Sequence, residues 1–205
     1  LARKGDFYPF NDYKVEDDVA KIFFTNTKRE KFEILVDLDI LNYLKKINHH
    51  WRASYRKKAD SYYAQTILHD EYLIGYYKTK TPYLHKMILE AETKKDQYIH
   101  HINHNTLDNR RVNLEITSNK NNSMDRNGQN SNNKSGYRNV CWDKNSKIWV
   151  VQIQLNGVNT RLGKFEDVKQ AGKFAEDMRL KYYGKYRGTS NKFKHYNYTK
   201  IILEE

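Results

Sequence analysis

Cysteine is nearly absent. Cys141 stands alone among 205 residues, which excludes an intrachain disulfide framework and any cysteine-built zinc site. A reducing compartment suits such a chain. Long apolar runs are missing too: no stretch approaches the ~18 residues that a membrane span needs. The opening segment is polar and acidic from Asp6 to Asp18 and carries no signal-peptide pattern. The sequence therefore predicts a cytoplasmic location with no membrane partner. No internal repeat is present.

What is abundant is positive charge. Lys and Arg number 37 against 25 Asp and Glu, a formal net charge of +12 with an isoelectric point near 9.5. The excess is uneven. Residues 1–99 carry 18 basic and 15 acidic side chains, and residues 100–205 carry 19 and 10. The second half is the half that calls for a polyanion. Aromatic residues make up 14%, with 17 Tyr, enough to fill a core and to exclude wholesale disorder.

Periodicity divides the chain. Phe7 to Phe10 is an irregular aromatic opening. Ala20 to Thr25 and Phe32 to Val36 read as strands. Asp37 is placed to cap a helix whose apolar positions are Leu38, Leu41, Leu44 and Ile47. Trp51 to Tyr55, Tyr62 to Ile67 and Tyr72 to Tyr77 read as strands of a meander, and Tyr83 to Leu89 as a helix. Tyr98 to Ile102 and Leu114 to Thr117 read as two strands around a polar loop, Asn103 to Asn113. Ser118 then caps a short helix to about Arg126. Residues 127–135 contain no apolar side chain and read as a linker. Three strands follow, Tyr137 to Trp142, Trp149 to Leu155 and Asn159 to Phe165, with Asn156-Gly157 as a hairpin turn. Asp167 opens a long amphipathic helix that Gly184 stops. Alternation points Val151 and Ile153 inward and Val150, Gln152 and Gln154 outward. Trp142 and Trp149 are expected to pack the sheet edge.

Phosphodiester hydrolysis needs a base to activate water and a cation to stabilise the phosphate charge. His100-His101 at a strand end offers one imidazole to each task. Adjacent histidines also occur by chance, and His49-His50, read as a helix end, is a second pair.

The run from Tyr98 to Leu114, Y-I-H-H-I-N-H-N-T-L-D-N-R-R-V-N-L, resembles the HNH signature of phage and intron homing endonucleases, roughly D-H-I-x-G-x-x-x-D/N-N-R-x-x-N-L followed by a helix bearing Asn-Asn. Tyr83 to Ile88 is similar to that family's L-H-R-L-I segment, and Asn121-Asn122 to its asparagine pair. The resemblance covers about residues 83–125. It implies His101 as general base, Asn113 as the residue that ties the loop and helps hold the base, and His100 and Asn122 as ligands of one divalent metal ion, Mg2+ or Mn2+ first and Zn2+ also conceivable. His100 stands where the subfamily has Asp, which softens the metal preference. His104 replaces the usual loop Gly and either fills the turn, the favoured reading, or reaches the site. His85 is expected to pack and hydrogen-bond beneath the site rather than ligate metal. Arg110 and Arg111 either pin a phosphate or pair with Asp108 or Glu115.

Ser135 to Val140, Arg161 to Phe165 and the helix with Ala171 and Ala175 resemble the ethylene-response-factor (Apetala-type) DNA-binding domain, over residues 135–188. That resemblance implies a three-stranded sheet in the major groove, with Arg138, Cys141, Gln152, Gln154, Asn159 and Arg161 at contact positions.

The expected fold is α+β. A β-rich N-terminal region (1–82) precedes an HNH ββα-metal nuclease module (83–126). The linker (127–135), a three-stranded antiparallel sheet packed on one helix (136–190) and a tail (191–205) follow. The expected function is a sequence-targeting, metal-dependent endonuclease acting on double-stranded DNA in the cytoplasm of a bacterium or its phage, or on the nucleoid. A DNA-binding repressor descended from such a nuclease is the alternative, an RNA-binding splicing helper a third reading, and monomer or homodimer stays open.

Overall fold

A computed structural model of the chain describes residues 9–26, 29–57, 59–89 and 94–190. Phe7, Tyr8 and the tail 191–205 lie outside them. The fold is mixed α+β, with small antiparallel sheets and five α-helices among the described residues. Contacts divide these residues into two compact units, 9–117 and 118–190. No helix among the described residues is long and apolar enough to cross a membrane.

The first unit is built on a three-stranded meander: β1 (Tyr13–Glu16), β2 (Val19–Thr25) and β3 (Lys31–Asp37). Strict alternation in β2 and β3 puts Ala20, Ile22 and Phe24 opposite Val36, Ile34 and Phe32. All six are buried, each contributing about 1.5–3 kcal/mol of apolar burial for the larger side chains. Phe24 and Phe32 stack at 4.9 Å. Helix α1 (Leu38–Ile47) adds Ile40, Leu41 and Leu44 to this core. Asp37 occupies the N-cap position as expected, but its carboxylate makes no capping bond. Instead it accepts from the Arg111 backbone N–H at 2.8 Å.

A hairpin of β4 (Trp51–Arg56) and β5 (Ser61–Thr66) follows. The third strand expected at Tyr72 to Tyr77 is a helix, α2 (Glu71–Tyr77). Y-L-I-G-Y-Y reads equally as either period, and the local signal that decides is Asp70, whose Oδ1 accepts from the Leu73 N–H at 2.9 Å. The helix turns Tyr77 inward, its hydroxyl 2.9 Å from that of Tyr43, and leaves Tyr72 and Tyr76 exposed. Helix α3 (Leu84–Leu89) lies where the apolar stripe placed it.

Strands β6 (Gln97–His101) and β7 (Leu114–Ser118) form a two-stranded sheet. The loop between them is not free. Its residues 107–109 run parallel to β3: Leu35 N–H donates to Leu107 C=O at 2.9 Å, and Asn109 N–H to Leu35 C=O at 2.8 Å. Leu107 enters the N-terminal core. Thr106 Oγ1 donates to the Tyr62 carbonyl and sits 2.7 Å from Ser61 Oγ. The loop thereby covers the open edge of β3.

In the second unit, Ser118 caps α4 (Asn119–Met124) as expected, its hydroxyl accepting from the Asn121 N–H. Residues 127–135 are held within this unit. Gly128 N–H donates to Thr189 C=O, and Asn133 Nδ2 donates to the carbonyls of Tyr137 and Val140. Polar side chains here bond the backbone, which composition alone does not distinguish from a linker.

The sheet is β8 (Val140–Asp143), β9 (Ile148–Leu155) and β10 (Val158–Phe165), antiparallel with β9 central. The first strand begins three residues later than predicted, because Asn139 takes a positive φ of 67° and Tyr137 is tied into a turn by Ser135. Asn156 and Gly157, at φ 48° and 84°, make the predicted two-residue hairpin. Helix α5 (Val168–Tyr183) packs Ala171 and Ala175 on Val140 and Val151. Gly172 lets the Tyr137 ring lie against the helix, where an added Cβ would run into that ring. Gly172→Ala is expected to destabilise the protein by about 1–3 kcal/mol through overpacking, despite the higher helix propensity of Ala. A chemical denaturation curve checks this, and an unchanged or raised stability would contradict it.

Candidate active site and sheet face

Four histidines gather in the first unit around the β6–β7 hairpin. His100 and His101 end β6 and are both buried, at 8% and 5% exposure. His101 sits in an aromatic cage. The His85 ring, carried by α3, lies 5.2 Å from it edge-on, and Tyr63 of β5 lies 6.2 Å away. His85 in turn stacks on Tyr83 at 5.6 Å. His85 packs against His101, but the hydrogen bond expected of it is not made through Nδ1, and His101 has no partner for Nε2 among the described residues. Two buried imidazole nitrogens thus face no protein partner among the described residues.

Burial has an electrostatic consequence. It pushes His85 down from about 6.5 to about 3, with His101 and Lys86 adding to the shift. It pushes His101 down to about 4, opposed chiefly by Asn109. Both rings are neutral near pH 7. The folded state favours the neutral form, so this stability is fully present above the unfolded value near 6.5 and is lost as pH falls through the folded values. Between pH 7 and 5 each histidine is expected to remove about 2 kcal/mol. Urea denaturation at the two pH values measures it, and a His85→Phe variant should lose about half of the dependence. A flat profile would mean that the rings titrate at their ordinary value in the fold.

The loop is held by amides. Asn113 Oδ1 accepts from Asn103 N–H at 2.8 Å, and its Nδ2 donates to Asp108 C=O at 2.8 Å. Its backbone carbonyl accepts from Ile102 N–H, next to His101. A short 3-10 helix, Arg111–Asn113, closes the polar loop. Asp108 is buried at 1% exposure and takes Arg110 bidentately, at 2.7 and 2.6 Å, and Asn103 Nδ2 at 2.9 Å. Arg111 pairs with Asp39 at 2.7 Å and reaches Asp37 at 3.7 Å. Of the two roles open for these arginines, the ion pair is the one observed, with Asp39 of α1 as a partner of Arg111.

His104 is more than turn filler. It adopts a φ of 62°, the left-handed conformation that suits Gly at this position, and its N–H donates to His101 C=O. Its ring lies 5.5 Å from that of His100, and their ligand nitrogens lie within 4.8 Å of one another. Two imidazoles so placed could hold a metal ion. The i, i+4 spacing of His100 and His104 was visible in the sequence; the reversal that makes the rings meet was not.

In the second unit, Asn122 lies on α4. Register puts Cys141, Val150, Gln152, Gln154, Asn159 and Arg161 on the outer face of the sheet, with Lys164 joining them beyond the bulge between Arg161 and Gly163. Gln154, Asn159 and Arg161 are exposed, and Arg161 is 3.7 Å from Asp143. Val150 points outward by register yet is buried; it is central, with Cys141 and Lys164 as its cross-strand neighbours. Trp142 and Trp149 pack edge-on at 4.9 Å.

Arg138 corrects the sequence reading. It is only 4% exposed and does not belong to the outer face. Its guanidinium donates to the carbonyls of Met124, Arg126 and Arg187, tying the end of α4 to the segment after α5. Burial, aided by Arg126 and Arg179, lowers it to about 10. Arg179, fully buried on α5, donates to the carbonyls of Arg138 and Arg187 and to Ser190 Oγ. The sequence signal for Arg179 was there: it continues the Ala171, Ala175 stripe by four residues.

No family model, no curated protein and no solved structure matches the chain.

Proposed function

We propose that the chain is a metal-dependent endonuclease of double-stranded DNA, of the HNH homing type, with the β6–β7 hairpin at the centre of its catalytic site. The observation that carries this reading is His101 buried beside His100, at the end of a strand whose loop is tied down by Asn113. A general base must be unprotonated at working pH. Burial supplies that condition for His101, and Nε2 is the nitrogen without a partner, so it is the atom assigned to take the proton of the attacking water. Asn113 fixes the backbone on either side of the loop and so holds His101 in place.

A divalent ion, Mg2+, Mn2+ or Zn2+, supplies charge stabilisation at the phosphate and the leaving oxygen when bound. His100 offers the imidazole for it, and the HNH resemblance assigns Asn122 a carboxamide oxygen. The products are a 5′-phosphate and a 3′-hydroxyl. The outer face of the second unit, with Gln152, Gln154, Asn159, Arg161 and Cys141, is assigned to the DNA, since amide and guanidinium groups read A and G edges bidentately. Arg110 and Arg111 contribute by shaping the loop through their carboxylate partners.

The test is nicking of supercoiled plasmid by the full chain with each divalent ion in turn, at fixed salt. Metal-dependent nicking is expected. Tight duplex binding with no cleavage in any metal would establish the repressor reading, and preference for structured RNA over duplex DNA the splicing-helper reading.

A further inference from the structure

We infer that His104 is a metal ligand together with His100, and that the site therefore takes a borderline transition ion, Zn2+ or Co2+, in preference to Mg2+. The inference deepens the metal site of the proposed nuclease and rests on that reading only for the use to which the ion is put.

Three observations support it. The two rings meet edge-on at 5.5 Å, with ligand nitrogens within 4.8 Å. Two nitrogens on one tetrahedral ion, each ~2.0 Å from it, stand ~3.3 Å apart, a span that small side-chain rotations close. The His104 backbone is held at a left-handed φ of 62° by bonds on both sides. His104 N–H donates to His101 C=O, Asn103 Nδ2 to Asp108 Oδ2, and Asn105 N–H to Asn103 Oδ1. The imidazole is thus delivered to one place, and little ordering entropy remains to oppose binding. His100 is buried while His104 is partly exposed, so an ion has a path in from solvent on the His104 side. Lastly, both donors that the hairpin itself supplies are nitrogens. Mg2+ demands oxygen ligands and sheds water reluctantly. Imidazole suits Zn2+, Co2+ and Ni2+.

The conformation supplies a clean variant. Glycine prefers positive φ, so His104→Gly removes the imidazole and leaves the turn unstrained. The full chain is titrated with Co2+, read by its ligand-field absorption, and with Zn2+ by calorimetry, in wild type, His104→Gly and His100→Ala. One ion per chain is expected for the wild type, with affinity lowered about 10-fold or more in each variant and an unchanged thermal melt for His104→Gly. Mg2+ at equal concentration should not displace Co2+. Wild-type affinity in His104→Gly would overturn the inference, as would a wild-type chain that binds neither ion or yields its Co2+ to Mg2+. Should His104→Gly fail to fold, His104→Asn, which also tolerates left-handed φ, gives the same reading. Plasmid nicking separates the two proposals. Binding through His104 without cleavage in any metal keeps this site and removes the nuclease. Cleavage in Mg2+ that His104→Gly leaves intact keeps the nuclease and removes His104 from its site.

Discussion

His101→Ala is expected to lower metal-dependent nicking by about 10²–10⁴-fold, the range for loss of a general base, while duplex affinity stays within about twofold because the assigned DNA face lies elsewhere in the chain. The reasoning is electrostatic. A histidine at its ordinary value near 6.5 would be partly protonated in neutral buffer. Burial moves His101 to about 4, and its Nε2 has no protein partner to compete for the proton. Removing the ring also empties volume beside His85 and Tyr63, so His101→Gln serves as a companion that keeps bulk and polarity without comparable basicity. Both variants should lose cleavage, and exogenous imidazole should restore part of the rate in His101→Ala alone. If both variants cleave at the wild-type rate, His101 is not the base. His85, whose Nδ1 is also unpartnered, would then be the next residue to substitute.

Arg138→Met is expected to cost about 3–5 kcal/mol of stability, as when one partner of a buried charged hydrogen-bond set is removed. Met keeps the packing of the stem and deletes the guanidinium. Three carbonyls, those of Met124, Arg126 and Arg187, then lose a donor. Gly188 sharpens the effect. It sits at φ 54°, where an added Cβ would collide with Arg126 C=O and Arg138 Nη1, and its N–H donates to the buried Asp125 at 3.0 Å. The chain is packed around the arginine with no room to close over its loss. Hydrogen exchange should show α4 and residues 184–190 losing protection first, with the calorimetric melt moving down. At a concentration where the variant is folded, its DNA affinity should match the wild type. A stable variant with weakened DNA binding would instead restore Arg138 to the contact role that the Apetala-type resemblance implies.

Much of this was legible in the residues. The strand signals at Ala20 to Thr25 and Phe32 to Val36, the Asn156-Gly157 turn and the 3.6-residue stripe between Asp167 and Gly184 are local, and β2, β3, the hairpin and α5 formed there to within a residue. Tyr72 to Tyr77 went the other way, since six residues with apolar side chains at nearly every position carry no period, and the Asp70 cap decided for helix. The pattern H-H-I-N-H-N-T-L-D-N-R-R-V-N-L marked the loop as a candidate site, and Asn113 does tie the loop as the HNH resemblance implied.

Residue types and spacings along the chain determined the strands, helices and turns, the candidate histidines and the basic second half, because these depend on neighbours a few positions away. Only the tertiary structure decided which polar groups are buried and what they meet. Arg138 looked like a surface reader and is an internal tie; Arg110 and Arg111 found carboxylates; His104 came round to His100; His85 and His101 lost their protons to desolvation. Burial and long-range pairing belong to residues far apart in sequence, and the cost of leaving water is set by what surrounds a group, which no local pattern encodes.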